Sequence, residues 1–299
     1  MLSLSIHAIS NVSRRVFLES SRCTALVVFT LVLASCLPVG AQQLTSGSSG
    51  RQFRQEGVDA VPFKLLTQST QAKLKPVLEK PSIYRRLPQM AIECDPDYFR
   101  FLVRHPEVIV EIWKLMDVTK MQTTRTGPFE ISTDDGAGTI SDLELVYGDA
   151  NKHIFYGTGT YEGSLLRRKL SGKCVLVLQT EHGTTEDGKP RAINKLDVFL
   201  KVDNVAAGAI ARTLQPLVGP TADHNFVESL RFIQRLNDTT VKNGPGVQLM
   251  GERLEIQPDV LTGFQQAAGV AFHRGNPVKA QPANTRVSSK GEFRSMSSR

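Results

Sequence analysis

Hydrophobic positions repeat with two different periods along the middle of the chain. Over residues 108–116, apolar side chains recur every three or four positions, which predicts a helix with one apolar face. Over residues 119–202 the period falls to two, and Gly- and Asp-rich turns separate the alternating runs. Closely spaced strands with short turns are typical of an antiparallel meander. The pattern therefore predicts an α+β domain built around an antiparallel sheet.

The regions on either side of this meander predict helices. Asp95 is a good N-cap and Pro96 suits the first helical position, so a short helix begins there. His105-Pro106 restarts the chain into a second, more apolar helix. After the meander, Asn204 caps a long helical region that Gly219-Pro220 breaks or kinks. The predicted order is a strand, two short helices, a sheet and a long kinked terminal helix.

Composition divides the chain into parts. Residues 42–60 are polar and rich in Gly and Ser, and the end of the chain is rich in Ser, Asn, Pro and basic residues. No internal repeat is found. We therefore predict an export signal at 1–41, a flexible linker and lead-in at 42–88, the folded domain at 89–237, a peripheral helical extension at 238–274 and a disordered basic tail at 275–299.

The first 41 residues have the order of an export signal. Two arginines precede an uncharged apolar run, Thr24–Cys36, and small residues follow. The run is about 13 residues long, too short for the roughly 20 that a membrane-spanning helix needs. The segment Ser13-Arg14-Arg15-Val16-Phe17-Leu18 resembles the consensus of the twin-arginine export pathway, apart from Glu19, where that pathway usually has Lys. An ordinary secretory signal is the alternative, and either route predicts a periplasmic or secreted protein.

Two exits from the signal remain open. Val39-Gly40-Ala41 is a small-residue cleavage site that would leave Gln42 at the mature N-terminus, and we prefer it. Leu33-Ala34-Ser35-Cys36 resembles a lipobox, in which Cys36 would be acylated. Lipidation at Cys36 would anchor the protein to a membrane, whereas cleavage would release it.

The positive charge lies at the two ends of the chain. The formal net charge is +7, of which residues 1–41 contribute +2 and residues 271–299 contribute +5, so the body between them is neutral. A neutral body lacks the basic surface that a nucleic-acid-binding protein uses, which argues against that class. The basic tail is a candidate for peripheral contact with acidic envelope surfaces, or a solvated disordered end.

Two cysteines, Cys94 and Cys174, follow the signal. In an oxidising compartment they could form a disulfide, and the alternative is two buried free thiols. No C-x-x-C pair exists, so neither a thioredoxin-type redox site nor a zinc ribbon is indicated.

The order of elements over residues 89–237 resembles the START-like helix-grip (SRPBCC-type) superfamily, which includes lipid-transfer domains, polyketide cyclases and plant ligand-binding proteins. The cone-shaped fold of nuclear transport factor type also sets helices against a curved sheet, but the long terminal helix argues against it. The chain is also similar to an uncharacterised bacterial exported family, which supplies no activity. The helix-grip resemblance implies that the last helix crosses the concave face of the sheet and encloses an apolar cavity. The implied ligand-binding residues are Leu143, Leu145, Tyr147, Phe155, Gly157, Gly159, Tyr161, Phe226, Leu230 and Ile233.

Few side chains suggest catalysis, and none forms a known catalytic motif. His105 lies at the junction of the two short helices with Asp97 near it in sequence, so these two are the candidate catalytic residues. The alternative for His105 is a junction histidine that binds a backbone carbonyl. Gly157 and Gly159 within a strand predict a close approach, either by a ligand or by the crossing helix. The sequence predicts no metal site and no cofactor.

These observations favour an exported non-catalytic protein that binds an apolar or amphipathic small molecule in a helix-grip cavity. A cyclase- or hydrolase-type enzyme that uses the same cavity is the first alternative. The second is an envelope interaction protein with a filled core. Convergent ionisable groups in the cavity would favour the enzyme, and an interior packed solid with apolar side chains would favour the interaction protein.

Overall fold

The computed structural model describes residues 40–162, 169–203 and 219–277. The predicted export signal up to residue 39, including Cys36, lies outside the described residues. The first part of the predicted terminal helix, 204–218, and the tail beyond residue 277 also lie outside them.

Within these residues, nine antiparallel strands form one curved sheet, which confirms the predicted α+β class. In chain order they are β1 (Gln42–Gln43), β2 (Ile83–Arg86), β3 (Met90–Glu93), β4 (Gln122–Gly127), β5 (Glu130–Asp134), β6 (Thr139–Gly148), β7 (Lys152–Tyr161), β8 (Leu170–Thr184) and β9 (Pro190–Val202). Their order across the sheet is β1-β3-β9-β8-β7-β6-β5-β4. Strands β2 and β3 lie one after the other along the same edge of β9, opposite residues 197–200 and 191–194.

Seven α-helices accompany the sheet in the described part of the chain. They are α1 (Arg51–Asp59), α2 (Gln68–Glu79), α3 (Pro96–Arg104), α4 (Pro106–Leu115), α5 (Pro220–Lys242), α6 (Gly244–Gly251) and α7 (Pro258–Gly275). The two short helices predicted from the sequence are α3 and α4. The Asp95 carboxylate accepts hydrogen bonds from the backbone N–H groups of Asp97 and Tyr98, at 3.0 Å each, as the predicted N-cap. None of the described helices combines the length and apolar character needed to cross a membrane.

Successive strand residues point to opposite faces of the sheet, and helices pack against both faces. The inner core lies between one face and α3–α7, and its strand residues include Phe155 and Leu176. The outer core lies between the opposite face and the chain around α1 and α2, and its strand residues include Ile154 and Val175. Neighbouring residues of one strand thus enter different cores, as the alternating pattern predicts.

Residues 42–60 are not the predicted flexible spacer, because they contain β1 and α1, whereas the predicted lead-in up to residue 88 contains α2 and β2. Helix α2 buries three apolar side chains at helical spacing: Leu74, Val77 and Leu78. Arg86 of β2 binds Asp197 of β9, with Nε 2.8 Å from Oδ1, and also binds Glu56 of α1 at 2.5 Å. Helix α1 is polar in composition, and the ion pair between Glu56 and Arg86 holds it to the sheet.

The predicted peripheral extension is also wrong, because α7 enters the inner core. Helix α5 continues beyond the predicted domain boundary to Lys242. Phe264 and Ala268 of α7 are fully buried, and the ring centroid of Phe264 lies 6.1 Å from that of Tyr98 on α3. A Cβ at Gly263 would lie 2.8 Å from the Phe101 ring, so only glycine allows this approach of α7 to α3. The chain after residue 237 therefore belongs to the main fold.

Candidate functional site

The inner face holds most of the predicted ligand-binding side chains. Four of them are buried within the inner core: Leu143, Phe155, Leu230 and Ile233. Leu145 and Phe226 are partly buried and pack against it. The buried part of this face is filled by protein side chains, so a ligand would have to lie against its partly exposed part.

Tyr147 does not lie on the inner face, which corrects one predicted position. Leu145 pairs with Phe155, but Tyr147 pairs with Ile154, so the register shifts between them at a β-bulge. The extra residue, Val146, reverses the facing of the residues after it, and Tyr147 packs against the outer core. Its hydroxyl donates a hydrogen bond to Asp149 Oδ2 at 2.7 Å.

The strand glycines reflect close contact between neighbouring strands. A Cβ at Gly157 would lie 2.6 Å from Cys174 Sγ, and a Cβ at Gly159 would lie 3.0 Å from the backbone oxygen of Ile140. The predicted close approach is therefore present, but the approaching atoms belong to adjacent strands rather than to a crossing helix.

One row of inner-face residues is only partly covered. We name it the small-residue row: Ser141, Gly159, Gly172 and Val202, which are direct cross-strand partners on β6 to β9. All four are partly exposed, and none carries a charge. The predicted residue Tyr161, two positions beyond Gly159, is also partly exposed. This row is therefore a partly exposed part of the inner face.

Apolar side chains flank the small-residue row on its inner side. Cys174 and Leu200 are direct cross-strand partners one pleat further in, and both are partly exposed. The N-terminal turns of α5 lie near them, because Asp223 binds Arg85 (Nε to Oδ1, 2.7 Å) only two residues after Ile83, the partner of Leu200. The residues missed as site residues are Ser141, Gly172, Leu200 and Val202. Counting back two positions from the predicted residue Leu143 finds Ser141. Placing Gly172 and Leu200 beside it requires the sheet register.

Two ionisable side chains near this face, both in the described part of the chain, form a buried ion pair. Arg125 donates from Nε to Glu107 Oε1 at 2.7 Å, and both side chains are buried. Burial opposes ionisation of Glu107, but hydrogen bonds from His105 and Arg125 hold its pKa below its ordinary value. The other carboxylate oxygen, Oε2, is buried and has no hydrogen-bond partner among the described residues.

The candidate catalytic residues His105 and Asp97 are not brought together. They lie at opposite ends of α3, eight positions apart, which corresponds to about 12 Å along a helix. Asp97 forms ion pairs with Arg100 and Arg274 at the protein surface. His105 stacks on Phe101 with ring centroids 4.5 Å apart, and its Nδ1 lies 3.3 Å from Glu107 Oε1. His105 is a junction histidine, although its partners are side chains rather than a backbone carbonyl.

Two further histidines, His153 and His182, lie at the other end of the inner face, near α3. Arg104 donates from Nε to His153 Nε2 at 3.1 Å. His182 Nε2 lies 3.2 Å from the backbone oxygen of Ala150. Burial, assisted by the charge of Arg104, lowers the pKa of His153 to about 4. Alternation along the strands does not distinguish these histidines from core residues, so sequence reasoning missed them.

The two cysteines are free thiols, which excludes the predicted disulfide alternative. Cys94 lies beside Pro190 at the start of β9, whereas Cys174 pairs with Leu200 near its end. Ten residues of strand separate these positions, about 33 Å in an extended strand, far beyond disulfide reach.

A cleft of 340 Å³ opens at the edge formed by β2 and α1. It is lined by Ser49, Arg51, Arg54, Pro81, Ser82, Ile83 and Tyr84. None of the predicted ligand-binding residues lines this cleft. Across residues 40–162, 169–203 and 219–277, no three His, Cys, Asp or Glu side chains converge as a metal site.

Neither family models nor curated proteins match the sequence. Among solved structures, an uncharacterised protein from Rhizobium leguminosarum is 12% identical, covering 49% of this chain and 95% of that chain at a TM-score of 0.28. Ara h 8.0201 is 14% identical, covering 49% of this chain and 99% of its own at a TM-score of 0.24. The di-domain ARO/CYC protein BexL of the BE-7585A biosynthetic pathway is 12% identical, covering 65% and 53% at a TM-score of 0.25. Because these TM-scores are low, the likenesses carry no argument about function.

Proposed function

We propose that the protein is an exported, non-catalytic binder of an apolar or amphipathic small molecule, held on the inner face of a helix-grip sheet. The observation that carries the proposal is the small-residue row. Its four positions face the helical layer but remain partly exposed, and two of them are glycines without side chains. Uncharged, partly exposed positions beside apolar side chains favour ligands whose contact surface is apolar.

The neighbouring side chains support an apolar contact and a polar end on the same ligand. Cys174, Leu200 and Phe226 supply partly exposed apolar surface. Thr133 and Ser141, with hydroxyl oxygens 2.7 Å apart, supply hydroxyl groups at the edge of the sheet. This arrangement suits an amphipathic molecule with one apolar body and a small polar group.

The enzyme alternative has less support. A cyclase or hydrolase needs an acid, a base or a nucleophile directed at one reacting position. Among the described residues, two inward-facing ionisable side chains on the sheet, Arg85 and Arg125, are engaged with Asp223 and Glu107. The alternative of an interaction protein with a filled core agrees with the buried part of the inner face. The partly exposed small-residue row is the feature that favours a binder over this alternative.

Binding is tested by titrating the protein comprising residues 42–299 into dansylundecanoic acid, a fluorescent amphipathic probe. The matched variants are Ser141→Phe and Ser132→Phe, which place the same side chain on opposite faces of the same region, because Ser132 precedes the inward-facing Thr133. We expect saturable binding that Ser141→Phe weakens about tenfold or more and Ser132→Phe leaves unchanged. No saturable binding, or equal loss in both variants, would contradict the proposal.

A further inference from the structure

The cleft at the edge formed by β2 and α1 is basic, because none of the described residues that line it is acidic. Arg51, Arg54, Ser49 and Ser82 supply its polar side chains. Its volume of 340 Å³ lies within the range of about 300–1,000 Å³ that small-molecule sites occupy. Residues 42–270 together have no net charge, so the positive charge of the cleft is local. An anion is therefore attracted to this cleft rather than to the whole surface.

Two positive charges in the cleft have no described carboxylate to neutralise them. The nearby residues Arg85 and Arg86 form ion pairs with carboxylates of other elements. Arg51 and Arg54 form no ion pair with any residue that the structure describes. Arg54 instead donates from Nη2 to the backbone oxygen of Glu79 at 2.8 Å, which holds the guanidinium in place and leaves its charge uncompensated.

The two guanidinium groups can reach the same ligand. Arg51 and Arg54 are three positions apart on α1, so they share one face of the helix, where such residues have Cβ atoms about 5–6 Å apart. A guanidinium presents its N–H donors in a planar fork. Arg51 uses none of these donors on a described residue, and Arg54 uses only the one that meets Glu79. Most of the donors in the cleft are therefore available.

The serine hydroxyl groups of the cleft add further donors. Ser82 Oγ accepts a hydrogen bond from the backbone N–H of Val202 at 3.1 Å, so its own proton remains available. Ser49 is exposed, and its hydroxyl group forms no hydrogen bond with a described residue. Donors and positive charge on the same cleft are complementary to the oxygen atoms of an anion.

The remaining lining residues give the cleft an apolar part. They are Pro81, Ile83 and Tyr84. Ile83 and Tyr84 belong to β2, which pairs with β9 along its whole length, so their backbone is held by the sheet. The Tyr84 hydroxyl donates to Asp197 Oδ1 at 2.7 Å and is thus already engaged. A ligand with a small apolar body beside its anionic group suits this lining.

We propose that this cleft is a binding site for a soluble phosphate monoester with a small apolar body. A phosphate monoester carries a charge of about −1.5 to −2 at pH 7, which matches the two uncompensated guanidinium groups better than the single charge of a carboxylate does. Arginine also binds phosphate oxygens through paired N–H donors. None of the residues of the small-residue row lines the cleft, so the test of this site does not decide the test of the inner face.

The test is isothermal titration calorimetry of the protein comprising residues 42–299. We expect saturable binding of phenyl phosphate. Benzoate, which lacks the second negative charge, and inorganic phosphate, which lacks the apolar body, should bind more weakly, and phenol, which lacks the anionic group, should not bind. The proposal would be overturned if phenyl phosphate does not bind saturably, or if any of the three comparison compounds binds as tightly as phenyl phosphate does.

Variants locate the binding on the protein. Arg51→Gln and Arg54→Gln should each weaken phenyl phosphate binding about tenfold, because each removes a charged donor. Arg235→Gln is the matched control, since Arg235 is exposed on α5 and forms no ion pair with a described residue, and it should bind as the parent does. Arg51 is exposed and unpaired in the same sense, so Arg51→Gln should fold normally. Unchanged binding in Arg51→Gln, or equal weakening in Arg235→Gln, would overturn the proposal.

Co-sedimentation with phosphatidylcholine vesicles that contain phosphatidic acid distinguishes a soluble ester from a lipid head group. We expect Arg51→Gln to sediment with these vesicles to the same extent as the parent. Vesicle binding that Arg51→Gln weakens, in a protein that does not bind phenyl phosphate, would assign the cleft to a membrane surface and overturn the proposal.

Discussion

Replacing Asp197 by Asn would break a buried ion pair while keeping the size of the side chain. Asp197 is 0% exposed, and its carboxylate accepts hydrogen bonds from Arg86 Nε at 2.8 Å, Arg86 Nη2 at 3.0 Å and the Tyr84 hydroxyl at 2.7 Å. Asparagine keeps one acceptor oxygen, but its amide group turns donors toward a site that already holds only donors. It also removes the charge that neutralises the buried guanidinium.

We expect the free energy of unfolding to fall by about 3 kcal/mol. Removing one partner of a buried ion pair costs roughly 3–5 kcal/mol, because the other charge stays buried without compensation. Arg86 keeps a second partner, Glu56, at 2.5 Å. The Glu56 side chain is 44% exposed, so its attraction is partly screened by water and recovers only a part of the loss. The lower end of the range is therefore expected.

Urea denaturation followed by circular dichroism measures this loss. The matched control is Glu144→Gln, which breaks a surface ion pair between Glu144, 30% exposed, and Lys73, 45% exposed. This change should lower the free energy of unfolding by less than about 1 kcal/mol. Replacing both buried partners, as Arg86→Met with Asp197→Leu, should recover much of the stability lost in Asp197→Asn. A loss in Asp197→Asn no larger than in the control would refute the view that this pair anchors the N-terminal region.

Three further predictions concern packing, pH and processing. A Cβ at Gly57 would lie 2.9 Å from the carboxylate carbon of Asp197, so Gly57→Ala should lower the free energy of unfolding in urea by about 1–3 kcal/mol. Gly183→Ala, with open space around it, should change this free energy little. The native pKa of His153, about 4, lies below the unfolded value of roughly 6.5, so the unfolded chain binds more protons than the native protein between these values. The free energy of unfolding should therefore fall by up to about 3 kcal/mol from pH 7 to 4. A His153→Gln variant whose free energy of unfolding falls equally over this pH range would contradict this. Deleting residues 1–41 should retain the protein in the cytoplasm on cell fractionation. When the complete sequence is expressed, mass spectrometry of the exported product should show Gln42 as its first residue, and an uncleaved product in the cytoplasm would contradict export.

Regular apolar spacing made much of the fold predictable from the sequence. Helices α3 and α4 and the alternating strands are indicated directly by local capping and period, which act over a few residues. The bulge at Val146 is not, because Leu143, Leu145 and Tyr147 alternate without interruption in the sequence. Only pairing with β7 shows that Tyr147 has changed face.

The N-terminal region was misjudged for a different reason. Its polar composition is typical of a spacer, yet Arg86 joins it to the sheet through partners 30 and 111 positions away in the chain. Ion pairs between such distant positions leave no periodic signal. The same holds for α7, whose Phe264 is fully buried although its surroundings in sequence are only weakly amphipathic.

Periodicity indicates which face a residue occupies, but not how deeply it is covered, and this limits the prediction of the site. Phe155 and Gly159 share the inner face of β7 at the same period, but Phe155 is buried in the core and Gly159 is partly exposed. The difference arises because α3–α7 pack over one part of the sheet, and their position depends on contacts such as Arg85 with Asp223 that the sequence does not reveal. A ligand on the inner face therefore has to bind where the strands remain partly exposed, and the small-residue row is one part of the described sheet that meets this condition.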